Sequence, residues 1–552
     1  MNKITVYRAR KVVTMDPGRP VAAAVAVVDG KVLSTGTLDS MRPWLSRYDH
    51  VVDDTLCDKV ILPGLIDPHT HFAMSAGFLA LHYIGPIESP GPHGINPGVR
   101  THDEVLAKLR SAHRAETDTA KPLVAWGLDP ALQGGHLHRD ELDAIGTERP
   151  MWVISYAPHF VYVNSAALER IGVKQDTAVH GVQRYPDGRL NGVFVEIEAT
   201  RLALAGMTAE TSKGGGAAGL RRMADTARRA GVTTTAEMVF GWTDFDLEWA
   251  MHAEAVNTPS FPLRMALVPL ENPLFKKHGA KSAEFLQGLR QRDTEKLFFH
   301  GVKFLSDGSF PAMSLRLNFP GYLDGGNGLR NDVPWEELHE RMLPFWKSDI
   351  QIHCHANGDE AIDASLNALA RLQALHPRFD HRFTIEHYCI STPEQARRLK
   401  SLGGVASVNN YFVHYRSQLH SEHAFGPDRS EAIARLGSLE REGVVFALHS
   451  DFSLVVVPMH PLTAAWVAVN RLALDGQTIM APGERIGVAR AMRAITIDAA
   501  YVLGLERHVG SLEPGKFADF AILEQDPFEM DPLALKDIRI WGTALSGRLQ
   551  PA

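Results

Sequence analysis

Between residues 60 and 507 the sequence alternates short apolar runs with helix-like segments, and this rhythm constrains the fold more than any other feature. Runs rich in branched and aromatic residues occur at 60–67, 232–238, 263–268, 298–304, 350–355, 383–387, 404–409 and 444–451. Strand signals alternating with helix signals mark βα units around a parallel sheet. Eight such units predict an α/β protein built on a closed (β/α)8 barrel, the TIM barrel.

The two ends of the chain read differently. Short strands at 4–7, 11–14, 22–28 and 31–35 are separated by turns such as Asp29-Gly30. Near the other end, Gly510-Ser511-Leu512-Glu513-Pro514-Gly515-Lys516 is a turn-rich link into a strand at 518–523, with another around 542–546. Neither piece is large enough to bury a core alone, so 1–59 and 508–552 are expected to pair into one composite β-sandwich beside the barrel at 60–507. The length of 552 residues agrees, since it exceeds what one core usually supports. After the first barrel strand, about 75–205 is too long for a βα loop. It holds strand-like 123–126 and 152–156 and helix-like 165–170 and 196–204, and is expected to fold over the barrel mouth.

Hydrophobic residues make up 45% and charged residues 22%, as in ordinary globular enzymes. Net charge is −7 with scattered lysines and arginines, which argues against a nucleic-acid partner. The sequence opens without the apolar stretch of a signal peptide and has no window of about 18 apolar residues. No membrane association and a cytoplasmic location are expected, with a homo-oligomer left open. Three cysteines, Cys57, Cys354 and Cys389, are too dispersed for a disulfide framework or a CxxC zinc site.

Chemistry concentrates where the apolar runs end. In Pro63-Gly64-Leu65-Ile66-Asp67-Pro68-His69-Thr70-His71, residues two apart share a strand face, so His69 and His71 can chelate one metal. Strand ends also deliver His355 in His353-Cys354-His355-Ala356-Asn357-Gly358-Asp359, His387 in Thr384-Ile385-Glu386-His387, and Asp451 in His449-Ser450-Asp451. Barrel enzymes place their chemistry on that face. His353 and His449 fall one layer deeper on the same side and are read as supporting histidines, able to substitute if the register is off by one ligand. Cys354 should face the helices, and His136 and His138 lie in a Gly-rich loop without companions. A fifth strand end carries Lys303, an alternating position in an apolar run. A bare ammonium beside metal ions is repelled and costly to bury. Carboxylation by CO2 would turn it into an anionic bridge; pairing with Asp307 or Asp451 is the alternative.

His-x-His on strand one, Lys on strand four, His on strands five and six and Asp on strand eight resemble the amidohydrolase superfamily. Within it the chain is similar to the amidohydrolase-3, or YtcJ-like, group, which includes N-substituted formamide deformylase. The likeness extends to Arg139-Asp140-Glu141-Leu142-Asp143, to His159 with Val163-Asn164-Ser165, and to Gly510–Asp519. It implies one or two divalent metals, zinc being usual and Mn2+ or Fe2+ possible, with His69, His71 and Asp451 on one and His355 and His387 on the other, and with Lys303 bridging them if it is N-carboxylated. Two departures stand out: Glu360 follows Asp359 where the family commonly has Arg, and strand seven ends in Asn409-Asn410-Tyr411 rather than Gln-Pro.

Amide hydrolysis needs a nucleophile at neutral pH and a stabilised carbonyl oxygen, and a bound metal supplies both. Asp451 suits the general base and acid, and His159 is positioned by the likeness to hydrogen-bond the substrate carbonyl. Aromatic residues near the strand ends, Trp126, Tyr156, Phe310 and Tyr411 among them, suggest a small apolar or aromatic substrate. The expected activity is cleavage of an amide or N-formyl C–N bond. A deaminase or lactonase on the same scaffold is the nearest alternative, and a non-catalytic binding protein the alternative of another class.

Overall fold

A computed structural model describes residues 3–91, 94–156, 160–207, 215–331, 333–453 and 457–552. The chain is mixed α/β and separates into two compact units, 1–70 with 227–450 and 460–552, and 71–226 with 451–459.

In the first unit the parallel strands fall into two sheets. One orders Leu65–Thr70, Val232–Phe240, Arg264–Pro269 and Leu297–Phe299; the other orders Val302–Leu305, Ile352–Ala356, Thr384–His387, Val405–Val408 and Phe446–Leu448. An isolated parallel bridge between Leu270 and Lys303 joins the two arcs. These are the expected apolar runs with two corrections. The run at 60–67 splits at Gly64: its first half finishes the strand His50–Pro63 of the terminal sheet, and only Leu65–Thr70 belongs to the parallel arc. A Cβ on Gly64 would sit 1.9 Å from Thr233 Oγ1, so no other residue fits the crossover. The run at 298–304 breaks at His300-Gly301, where Gly301 takes φ 63° and leaves no room for a side chain against His353.

Both ends of the chain contribute to one seven-stranded sheet, in which Phe520–Leu523 pairs with His50–Pro63 and Ile4–Val13 lies between His50–Pro63 and Val21–Val28. The two short strands expected at 4–7 and 11–14 are one continuous strand with irregular register at Arg8–Val12. One face buries Val12, Val25, Leu56, Ile61, Phe520 and Ile522. Arg264 pins this sheet to the parallel arc: it donates to Asp519 at 2.6 and 3.1 Å, both side chains being buried, and its guanidinium stacks 3.6 Å from the Phe517 ring centroid.

The second unit carries a six-stranded sheet ordered Val182–Arg184, Leu190–Val195, Phe160–Val163, Met151–Ser155, Leu123–Leu128 and His82–Tyr83. Leu123, Ala125, Met151, Val153 and Tyr162 pack against Val105 and Leu109 of the helix His102–Ala115. That helix starts at a capping box in which Thr101 and Glu104 satisfy each other's backbone amides. Among the described residues, no helix is long and apolar enough to cross a membrane.

Candidate metal centre

Register decides which side chains meet at the strand ends of the first unit. Lys303 aligns with His353, and His355 with Glu386 and Ser407. Aligned residues of a parallel sheet share a face, so Lys303, His353, His355 and Glu386 point one way. His387 is the next residue after Glu386 and by simple alternation belongs to the opposite face. A left-handed backbone at His387 (φ 73°), continued at Tyr388 (φ 48°), breaks the alternation. Such non-glycine conformations cost about 1–3 kcal/mol and cluster at functional sites. The result brings the His387 ring within 4.6 Å of the His69 ring and 4.5 Å of the His355 ring.

Glu386 organises the cluster. Its two oxygens accept from two imidazoles: His69 Nδ1 at 2.6 Å and His353 Nδ1 at 2.7 Å. Burial would push this carboxyl up, but the His69 and Lys303 charges and the two imidazole hydrogen bonds outweigh it and hold it well below the usual carboxylate range. Because a carboxylate only accepts, Nδ1 of His69 carries the proton and Nε2 is the atom left to act as a donor to a cation. Lys303 Nζ lies 3.5 Å from that Nε2, with 1% of the lysine exposed. His449 stacks on His69 at 4.5 Å and 15°. The ligand-competent atoms of His69, His387 and His449 all lie within 4.8 Å of one another, in buried surroundings.

His355 is placed nearby but is engaged elsewhere: its Nε2 is 3.1 Å from Gly308 O and 2.8 Å from Asn357 Nδ2. Asp307 shapes that loop by accepting the backbone amides of Arg316, Asn357 and Gly358. Burial raises its carboxyl to about 7 against those hydrogen bonds. Asp67, below His69, accepts the Ser450 hydroxyl at 2.5 Å and the Ser450 amide at 3.2 Å, and burial raises it to about 6. In the second unit His71 and Asp451 are paired at 2.9 Å, and both are buried. Asp451 also has a left-handed backbone, φ 58°.

Other sequence-derived residues have identifiable places. Cys354 faces the helix layer, within 3.1 Å of Ser306 Oγ and 3.3 Å of Ser365 Oγ. Glu360 pairs with Arg316 and Arg330, so the departure from Arg at this position is matched by two arginines in the facing loop. Phe310 is enclosed by Phe412, His420 and Phe425, and Tyr411 is buried with its hydroxyl donating to His460 O. Trp126 packs among Phe78, Tyr83 and Phe452, and Tyr156 is buried in the same unit. His136 bonds the Tyr162 hydroxyl at 2.8 Å. His159 lies outside the described residues. Sequence reasoning gave no role to Glu386, whose two oxygens hold His69 and His353. The available signal for Glu386 was its alternation with Thr384.

The donor set fits a divalent ion. In the first unit, three buried imidazoles whose ligand-competent atoms lie within 4.8 Å of one another, with a carboxylate fixing the tautomer of one, are groups that zinc and its neighbours take.

Comparison with known proteins places the chain in a family. An N-substituted formamide deformylase of Arthrobacter pascens is 24% identical over 568 aligned residues, spanning 97% of this chain and 96% of the relative. Protein LONG AFTER FAR-RED 3 of Arabidopsis thaliana is 28% identical over 527 residues, 94% of this chain and 86% of the relative. The fold matches the crystal structure of an uncharacterized metal-dependent hydrolase from Pyrococcus horikoshii with TM-score 0.72 at 18% identity, over 96% of this chain and 99% of that one. Residues 56–550 match the model of the amidohydrolase family, and the chain belongs to that family.

Proposed function

We propose that the chain is a metal-dependent hydrolase that cleaves the C–N bond of a small amide, an N-substituted formamide being the first class to test. The observation that carries this reading is the buried imidazole cluster of His69, His387 and His449 with His69 held by Glu386. A solvent-excluded group of basic nitrogens is expensive to maintain unless it binds something. The relative's name, N-substituted formamide deformylase, supports the bond type. The two parallel arcs and the linking bridge support closure into a (β/α)8 barrel.

His69, His71, Lys303, His355, His387 and Asp451 are the proposed ligand set, with zinc the expected ion and Lys303 N-carboxylated. When bound, the ion lowers the pKa of a coordinated water toward about 7 and polarises the substrate carbonyl. Asp451 accepts the proton of the attacking water and returns it to the departing nitrogen, so that the amine leaves neutral. His71, 2.9 Å away, orients that carboxylate. Glu386 keeps His69 in one tautomer. Buried aromatic residues support a substrate with an apolar or aromatic amine portion.

The test is a screen of zinc- and manganese-loaded protein against N-alkyl and N-aryl formamides, other amides, lactones and aminated heterocycles. Formate and free amine should appear, vanish on chelation and return with zinc. Turnover of heterocycles with release of ammonia, and none of amides, would overturn the bond assignment.

A further inference from the structure

We infer that His353 is a positioning residue of the metal centre: seated against the backbone at Gly301, it holds one oxygen of Glu386 so that the other oxygen fixes His69. The inference rests on the reading that these strand ends hold a divalent cation, and it leaves the proposed ligand set unchanged.

Register puts His353 beside Lys303 and Thr384, one layer below Glu386 on the same face. From there its Nδ1 donates to one Glu386 oxygen at 2.7 Å, while His69 Nδ1 donates to the other at 2.6 Å. The end torsion of a glutamate is broad, so a carboxylate held by a single bond can swing about it. Two imidazoles on separate oxygens fix its plane, and with it the orientation of the His69 ring. A carboxylate only accepts, so His353 Nδ1 carries the proton and Nε2 keeps its lone pair. That Nε2 has no hydrogen-bond partner among the described residues, and His353 is fully buried. An unpaired buried polar atom costs free energy, so packing alone does not account for a histidine here. The break at His300-Gly301 supplies the seat. Gly301 takes φ 63°, and a Cβ on it would lie 2.8 Å from His353 Cδ2 and 3.1 Å from Nε2. The glycine backbone closes the far edge of the ring and keeps it turned toward Glu386. With Nδ1 spent on Glu386 and Nε2 against Gly301, His353 acts through His69 and is not itself a ligand.

The experiment uses the full chain stripped of metal by a chelator and titrated with zinc alone in competition with a chromophoric chelator. The visible spectrum at one equivalent of cobalt reads the geometry around the ion. His353→Leu should weaken the first equivalent of zinc by about 10–100-fold and change the cobalt spectrum. His353→Asn should restore both toward wild type, because its amide nitrogen stands two bonds from Cβ, as imidazole Nδ1 does. Glu386→Gln should weaken zinc as much as His353→Leu, and the double variant should be no weaker than the worse single one, since the pair acts as a unit. Thermal melting of the metal-free variants checks that they fold, and His353→Gln, whose nitrogen stands one bond too far, replaces the leucine variant if that one does not. Wild-type zinc affinity and cobalt spectrum in the folded leucine or glutamine variant, or losses that add in the double variant, overturn the inference while the metal reading stands. Failure of wild type to take up zinc or cobalt at all overturns both.

Discussion

The seven-stranded terminal sheet and the tips of the parallel strands belong to one compact unit and are built on opposite rules. The sheet buries apolar side chains such as Val25, Ile61 and Phe520, and its buried charge, Asp519, is matched by the two hydrogen bonds of Arg264. The strand tips bury His69, Lys303, His353, Glu386, His387 and His449 together and bend the backbone to left-handed values at His387 and Tyr388. Buried polar groups and strained backbone both oppose folding. The sheet favours folding and the strand tips oppose it, so the two regions should respond to different perturbations.

Removing the pin of the sheet should have the largest effect. Asp519→Ala leaves the buried Arg264 guanidinium without its carboxylate, with only Glu295 O and Ser546 Oγ still accepting from it, and should lower unfolding free energy by about 3–5 kcal/mol in urea titrations. Zinc affinity of the protein that remains folded should not change; a parallel loss of zinc would mean that the two regions are not separable. Acid should act next. Burial lowers His252, on the helix Phe245–Val256, to about 4 from an ordinary value near 6.5. Its neutral form is the folded one, so its contribution is complete above about pH 6.5 and is lost as pH falls toward 4, on the order of 3 kcal/mol. Denaturation midpoints of metal-free wild type and His252→Gln should converge over that interval. Ser450→Ala removes the hydroxyl bonded to buried Asp67 and should cost about 1–3 kcal/mol, measured without metal. The smallest effect belongs to the second unit: Tyr162→Phe deletes the hydroxyl bonded to His136 and should cost about 1 kcal/mol with zinc uptake intact.

The same contrast explains what could be read from the sequence. Apolar runs located the parallel strands because hydrophobic periodicity reports burial directly, and His69, His355 and His387 stood out because histidine at a strand end is chemically conspicuous. The split at Gly64 was signalled by Pro63-Gly64, which interrupts the apolar pattern between Val60 and Ile66, and the closeness of Thr233 shows why the chain must cross there. Glu386 was hidden because alternation and left-handed backbone cannot both be inferred from residue types. A strand in which His387 faces the cluster regularly would turn Glu386 outward, and the φ of 73° is what lets both point inward. Aromatic residues gave no basis for separating packing from lining, and Phe310, stacked on Phe412 and His420, illustrates the ambiguity.

The most direct test of the account is anomalous X-ray scattering at the zinc edge from crystals of the metal-loaded chain. The account predicts a peak about 2.0–2.1 Å from His69 Nε2, the nitrogen opposite the one held by Glu386. A fully loaded crystal whose only peak lies away from His69, with the imidazole cluster unchanged, would contradict it.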